Sequence, residues 1–301
     1  MVESFHRYFQ MGVVHPMSFP GASEKEQTLL ETVRRVATDE YFDAIEIPYI
    51  ENRDTCRRIR ELCETAGCRI MIAGQPRLLG EGASLNDLRE PERIHAIKLV
   101  KQCIDMACFM GADEVGVLGG GYEEDRFEEY YSRLTESTAE LCRYGKERGV
   151  SLLMEVFDYD VDKKSIIGPV DRVRRFARDI WRDHDNFGLL ADLSHMPLLK
   201  EMPRQSMEPV REYIRHLHVG NAVCTEGAEA YGDQHPVFGF PGSSVNVPEL
   251  REFLKTALDL GLLGGNSRPI LSFEVKPWKD QDPEAVLANC KRTMNLAWSL
   301  V

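Results

Sequence analysis

The sequence predicts a single closed (β/α)8 barrel, on three observations. Short apolar runs that suit strands buried on both faces alternate with helix-length amphipathic segments, eight times over 301 residues. Four successive runs end in or carry an acid or an imidazole: Glu155, Asp192, His218 and Glu274. The C-terminal ends of parallel barrel strands are where such folds keep their chemistry. No low-complexity linker or shift in composition divides the chain, so residues 1–301 read as one domain.

The first strand is expected over 9–14, closed by His15-Pro16. A turn-rich piece leads to a helix over 24–39, where Leu29, Leu30, Val33 and Val36 share a face. Strand two, 42–47, is stopped by Pro48. The next helix, 51–66, puts Cys56, Ile59, Leu62 and Cys63 on one side and stops at Gly67. Strand three covers 69–73, and Ser84-Leu-Asn-Asp87 opens a helix that runs to Met110. Strand four, 111–118, is entered by a Gly-Ala-Asp turn and followed by Gly119-Gly-Gly121. A helix over 127–148 precedes strand five at 151–156, and a helix over 171–183 precedes strand six at 187–191. A short helix within 204–211 precedes strand seven at 214–219. A helix over 248–260 precedes strand eight at 270–275, and a helix over 283–300 closes the chain. Residues 221–246 form the one irregular stretch, too long for an ordinary connection and therefore expected to cover a substrate.

Acidic residues outnumber basic ones by 49 to 37, for a net charge of −12, which argues against nucleic acid and against an anionic membrane as partner. The eight cysteines are scattered without a Cys-x-x-Cys pair, so neither a disulfide framework nor a zinc ribbon is expected. The N-terminus carries no basic segment followed by an apolar one, and no apolar run reaches membrane-spanning length. The expectation is a cytoplasmic protein.

Glu155, Asp192, His218 and Glu274 offer three hard oxygen ligands and one imidazole at a common mouth. That mix suits Mn2+, or Mg2+ or Co2+, better than a structural zinc, which favours thiolates. A buried ion pair explains any one of these residues alone. Four polar groups on consecutive buried strands are harder to explain that way, because each costs desolvation. His195 is expected to orient a ligand or to donate to a substrate oxygen. Glu46, His15, Gln75, Arg77, His235 and Lys276 follow or end strands and are expected to contact substrate, with Trp278 as floor or packing. Gly119-Gly-Gly121 lacks the spacing of a nucleotide fingerprint and reads as a flexible turn.

Glu155, the Asp192-Leu-Ser-His195 pattern, His218 and Glu274, in this order on strands five to eight, resemble the xylose-isomerase-like TIM barrels. Those barrels include sugar-phosphate isomerases and the ketose 3-epimerases. The resemblance covers nearly the whole chain and implies that Glu155 and Glu274 bind the metal and also flank the substrate as an acid/base pair. The chain departs from the ketose epimerases in one place: His218 is followed by Val-Gly-Asn-Ala-Val, without their arginine. The stretches Phe157-Asp-Tyr-Asp-Val-Asp-Lys-Lys164 and Tyr231-Gly-Asp-Gln-His-Pro236 are similar instead to the catalytic α subunits of C-glycoside deglycosidases. These are metal-dependent lyases acting on 3-keto-C-glycosides with a small partner subunit. The expected function is thus a keto-sugar isomerase or epimerase, with a lyase and a non-catalytic sugar-binding barrel as alternatives. A homo-oligomer is a further possibility for such barrels. A nuclease relative of this barrel would want more metals, more histidines and a basic surface.

Overall fold

Eight strands, all parallel, form one sheet in the order β1-β8-β7-β6-β5-β4-β3-β2. The structure, a computed structural model, describes residues 3–265 and 268–301. In chain order the elements are β1 (Gln10–Val13), α1 (His15–Ser18), α2 (Glu26–Ala37), β2 (Ala44–Pro48), α3 (Arg53–Ala66), β3 (Arg69–Ala73) and α4 (Gln75–Gly80). Next come α5 (Glu90–Met110), β4 (Glu114–Leu118), α6 (Phe127–Lys146), β5 (Ser151–Glu155), α7 (Val170–Trp181), β6 (Phe187–Asp192) and α8 (His195–Leu199). The last are α9 (Pro203–Met207), β7 (Ile214–Gly220), α10 (Val247–Asp259), β8 (Ile270–Glu274) and α11 (Pro283–Ser299). The fold is a TIM barrel.

The barrel closes between β1 and β2 through one parallel bridge, Val14 with Glu46. Asp43 reinforces this seam: its backbone N–H donates to the Met11 carbonyl at 2.8 Å, and its carboxylate accepts from the Met11 N–H at 3.0 Å. A side chain thus supplies what a second ladder rung would. The main apolar core fills the layer between strands and helices. A separate cluster of Met71, Leu153 and Leu190 has the strand parity of the barrel interior.

Three short helices, α1, α4 and α8, go beyond the expected elements. The first two carry proline in the first turn, which suits a helix start. Helix α5 begins at Glu90 rather than near Ser84, because Ser84 and Asn86 are engaged elsewhere. Asn86 accepts from the Gly120 N–H at 2.6 Å and donates to the Gly121 carbonyl at 2.8 Å. A Cβ on Gly120 would lie 2.0 Å from Ser84 Oγ, so glycine is required by close approach. The glycine run is a clamped crossing, not a flexible turn. All eight cysteines are free, six of them buried. Among the described residues no helix is long and apolar enough to cross a membrane.

His15, expected at the mouth, faces outward into the helix layer. Its Nε2–H donates to Thr32 Oγ1 of α2 at 2.9 Å, since that hydroxyl spends its own proton on the Thr28 and Leu29 carbonyls. Nδ1 is buried with no partner, so a second proton would have no acceptor. Burial pushes the imidazole down to about 4. The unfolded chain takes that proton near 6.5, so stability is full above pH 6.5 and is lost as pH falls towards 4. His15→Gln should therefore flatten the pH dependence of unfolding free energy in that window by about 1.4 kcal/mol per pH unit. Denaturant titrations of both proteins at several pH values check this, and parallel curves would refute it.

Candidate functional site

Side chains alternate along a strand, so residues two apart share a face. Leu153 and Glu155, Leu190 and Asp192, His216 and His218, and Ser272 and Glu274 form such pairs on β5 to β8. The upper member of each pair lies at the C-terminal end of the barrel. One ligand atom from each of Glu155, Asp192, His218 and Glu274 falls within 4.8 Å of the others. The first three are 1 % exposed and Glu274 is half-buried. His218 Nδ1 lies 2.6 Å from Glu274 Oε2 and 3.6 Å from Glu155 Oε1.

Two oxygens at this point have no hydrogen-bond partner although they are fully buried: Glu155 Oε1 and Asp192 Oδ2. Their sister oxygens are engaged. Glu155 Oε2 accepts from Gln75 Nε2 at 2.7 Å, and Asp192 Oδ1 accepts from the Ser194 N–H at 2.7 Å. Burial pushes the Asp192 carboxyl up, and the Glu274 carboxylate nearby adds to that against the pull of His195, His235 and His218. Buried, unpartnered and converging carboxylate oxygens beside an imidazole fit a divalent cation, which would satisfy them together.

Gln75 reaches Glu155 only because Gly116 of β4 lacks a side chain, since a Cβ there would lie 2.7 Å from Gln75 Nε2. Glu46, from the middle of β2, is 0 % exposed. Its Oε1 accepts from His216 Nε2 at 2.8 Å and from His218 Nε2 at 2.9 Å, while Oε2 has no partner. Burial opposes its ionisation, but the imidazoles of His218 and His216 outweigh that and hold the carboxyl well below its usual range.

A second cluster lies beside the first. His195 Nδ1–H donates to the Val156 carbonyl at 2.7 Å, and its Nε2 lies 3.0 Å from Asp233 Oδ1 and 3.6 Å from Asp192 Oδ2. His235 Nδ1–H donates to the Glu274 carbonyl at 2.9 Å, and its Nε2 lies 2.7 Å from Asp233 Oδ1. Gly220 makes this approach possible, since a Cβ there would sit 2.9 Å from His235 Nδ1. His235 itself adopts a left-handed backbone, φ 49°, a strained conformation for a non-glycine residue. Burial disfavours its charge, but the Asp233 carboxylate prevails and raises the imidazole to about 9. Lys163 Nζ completes the group, 2.7 Å from Asp233 Oδ2.

These groups border a cavity of about 260 Å3. Glu46, Gln75, Glu155, His218, His235, Glu274 and Lys276 all line it. His195 and Asp192 lie behind this lining, His195 facing both Asp192 and Asp233. Arg77 is also outside: its guanidinium stacks on the Tyr49 ring at 4.4 Å and donates to Gln102 of α5 at 3.3 Å. The one-turn helix α4 turns it outward while presenting Gln75 and Pro76 inward. Trp278 packs on the ring of Phe240 and donates to Glu229 at 2.7 Å, which pins the loop over 221–246.

The family profile of the xylose isomerase-like TIM barrel matches residues 33–293. The chain belongs to that family. Among solved structures, this barrel is similar to a D-tagatose 3-epimerase-like protein (17% identity, TM-score 0.72, 97% of this chain and 99% of that one). It is similar to an L-ribulose 3-epimerase (18%, 0.73, 97% and 95%) and to the 3-keto-D-glucoside 4-epimerase YcjR from E. coli (13%, 0.71, 95% and 99%). No curated protein sequence matches the chain. At these identities the likenesses establish the shared barrel.

In this xylose isomerase-like barrel three residues at the site went unread in the sequence: His216, Asp233 and Lys163. His216 had a signal, since it precedes His218 by two on the same strand. Lys163 and Asp233 sit on loops after β5 and β7, where no periodicity orders side chains. Asp158 shapes the first of these loops, its carboxylate accepting from the N–H groups of Val161, Asp162 and Lys163 at 2.8, 2.8 and 2.9 Å. Asp158→Ala should cost roughly 1–3 kcal/mol by stranding partly buried donors, with Asp158→Asn intermediate. Denaturant unfolding of the two variants tests this, and wild-type stability in Asp158→Ala would overturn it.

Proposed function

We propose that the protein is a divalent-metal-dependent sugar isomerase or epimerase, in which Glu155 and Glu274 move the proton next to the carbonyl of a keto-sugar. The observation that carries this reading is the convergence of Glu155, Asp192, His218 and Glu274, with Glu155 Oε1 and Asp192 Oδ2 buried and unpartnered. The four would hold Mn2+, or Mg2+ or Co2+, as three carboxylates and one imidazole favour. When bound, the cation polarises the carbonyl and lowers the cost of losing the neighbouring proton. The similar solved structures include a D-tagatose 3-epimerase-like protein, a D-psicose 3-epimerase and an L-ribulose 3-epimerase, which supports a carbohydrate as substrate.

Glu155 and Glu274 come from strands three apart and border the same cavity. One carboxylate takes the proton and the other returns it on the opposite face, giving an epimer; return to the neighbouring carbon gives an isomer. Gln75 holds Glu155 Oε2, which fixes the carboxylate and leaves Oε1 towards the cation site. Glu46 Oε2, His235, Gln75 and Lys276 provide polar contacts for hydroxyl groups. His195 orients the acids behind the wall, while His15 and Arg77 face Thr32 and Tyr49 instead of the cavity.

One observation favours a second reading. Val14, Met17, Ala73, Pro76 and Leu79, from the segments around β1 and β3, give the cavity an apolar wall. Such a wall suits an aglycone, and the same proton abstraction would then expel it from a 3-keto-C-glycoside by β-elimination, with a small partner subunit involved. A sugar-binding barrel without chemistry has no use for two carboxylates in acid/base positions.

Proton NMR in D2O with Mn2+, on a panel of ketoses beside a 3-keto-C-glycoside, decides among these. Deuterium incorporation with a new sugar isomer supports the isomerase or epimerase, and its absence with every ketose counts against that reading; free aglycone supports the lyase, which is refuted when release also fails with a partner subunit present. Glu155→Gln and Glu274→Gln should each cut turnover by roughly 10²–10⁴-fold or more with circular dichroism unchanged, and full activity in either would overturn the acid/base assignment. His218→Ala should bind metal substoichiometrically, as measured by elemental analysis of the dialysed protein; full occupancy would overturn the ligand set.

A further inference from the structure

A column of alternating acids and bases runs along the barrel interior beneath the candidate metal centre. Arg69 and Glu114 open β3 and β4 at the N-terminal rim, with Arg69 Nη2 3.3 Å from Glu114 Oε1. Glu114 Oε2 lies 3.4 Å from His216 Nδ1, His216 Nε2 lies 2.8 Å from Glu46 Oε1, and the same oxygen lies 2.9 Å from His218 Nε2. The column ends at His218 Nδ1, which faces Glu274 and Glu155. His216 and Glu46 are 0 % exposed, so their contacts are sheltered from water. The interior of such a barrel is otherwise filled by apolar layers, and here Met71, Leu153 and Leu190 supply only part of one.

We propose that Glu46 and His216 are positioning residues for the metal ligand His218, a role that rests on the metal-centre reading above. Glu46 Oε1 is a carboxylate oxygen and can only accept, so His218 must carry its proton on Nε2. That leaves the Nδ1 lone pair for the cation and fixes the plane of the ring. His216 holds Glu46 in turn: both of its nitrogens face carboxylates, so Glu46 cannot rotate away without stranding a buried imidazole. Glu46 also lines the cavity, and its Oε2 has no partner. One carboxylate thereby joins the orientation of the ligand to the cavity lining.

The test uses the full-length protein loaded with Co2+, whose fast electron relaxation makes ligand protons visible in proton NMR. Wild type should show one shifted, solvent-exchangeable line from His218 Nε2–H with slow exchange. His216→Phe should raise the Co2+ dissociation constant by about 10–100-fold and broaden or erase that line. His216→Gln keeps a donor for Glu46 and should restore both towards wild type. Glu46→Gln, nearly identical in volume, gives an independent measurement should His216→Phe not fold: it should weaken Co2+ about tenfold and speed the exchange. A role confined to packing would lower thermal stability and leave affinity and line unchanged. Dissociation constants within twofold of wild type with the line retained would overturn the positioning role alone. Failure of the wild type to bind Co2+ would overturn the metal centre, and this inference with it.

Discussion

The pairing of buried carboxylates with buried imidazoles is the constraint on which the rest of this structure depends. Glu46, Glu155, Asp192 and Asp233 are no more than 7 % exposed, and four charges out of water cost several kcal/mol each unless answered. His195, His216, His218 and His235, each at most 2 % exposed, stand between them. Much of the surrounding backbone serves this arrangement. Gly116 and Gly220 are bare because a Cβ would strike Gln75 and His235, and the strained backbone of His235 brings its ring to Asp233. Asn221, wholly buried, holds the long loop by donating to the Val237 carbonyl and accepting from the Val245 N–H.

What could be read from the sequence follows from what strands and loops impose. The eight apolar runs located every strand, because a strand covered on both faces must be apolar on both. The acids and the imidazole that interrupt β5 to β8 stood out for the same reason, and the structure gathers all four. Residues on loops gave no such pattern. His15 and Arg77 follow strands as Gln75 does, yet the short helices α1 and α4 turn them towards Thr32 and Tyr49. Asp233 and Lys163 were hidden because their meeting joins two loops 70 residues apart. Helix ends slipped where polar side chains had other tasks, as Ser84 and Asn86 have at the glycine crossing.

Structural likeness at 13–18% identity shows how little of the sequence the barrel itself requires. Strand parity, parallel register and apolar faces suffice to build the mouth. Over that mouth lean the loops after β5 and β7, with Lys163, Asp233 and His235, and the segments carrying Met17 and Leu79.

Those two sets of segments are built differently. The loops after β5 and β7 are laced together, Asp162 accepting from the Asp233 N–H and Gln234 and Lys163 gripping Asp233. Across the mouth are the short helices α1 and α4, whose Met17, Pro76 and Leu79 line the cavity. The rim is therefore part jaw and part sill. A molecule entering against the carboxylates would meet cross-linked polar groups on one side and an apolar sill, topped by the half-exposed Leu79, on the other. Hydroxyl groups would find partners on the jaw, and hydrocarbon would find cover on the sill.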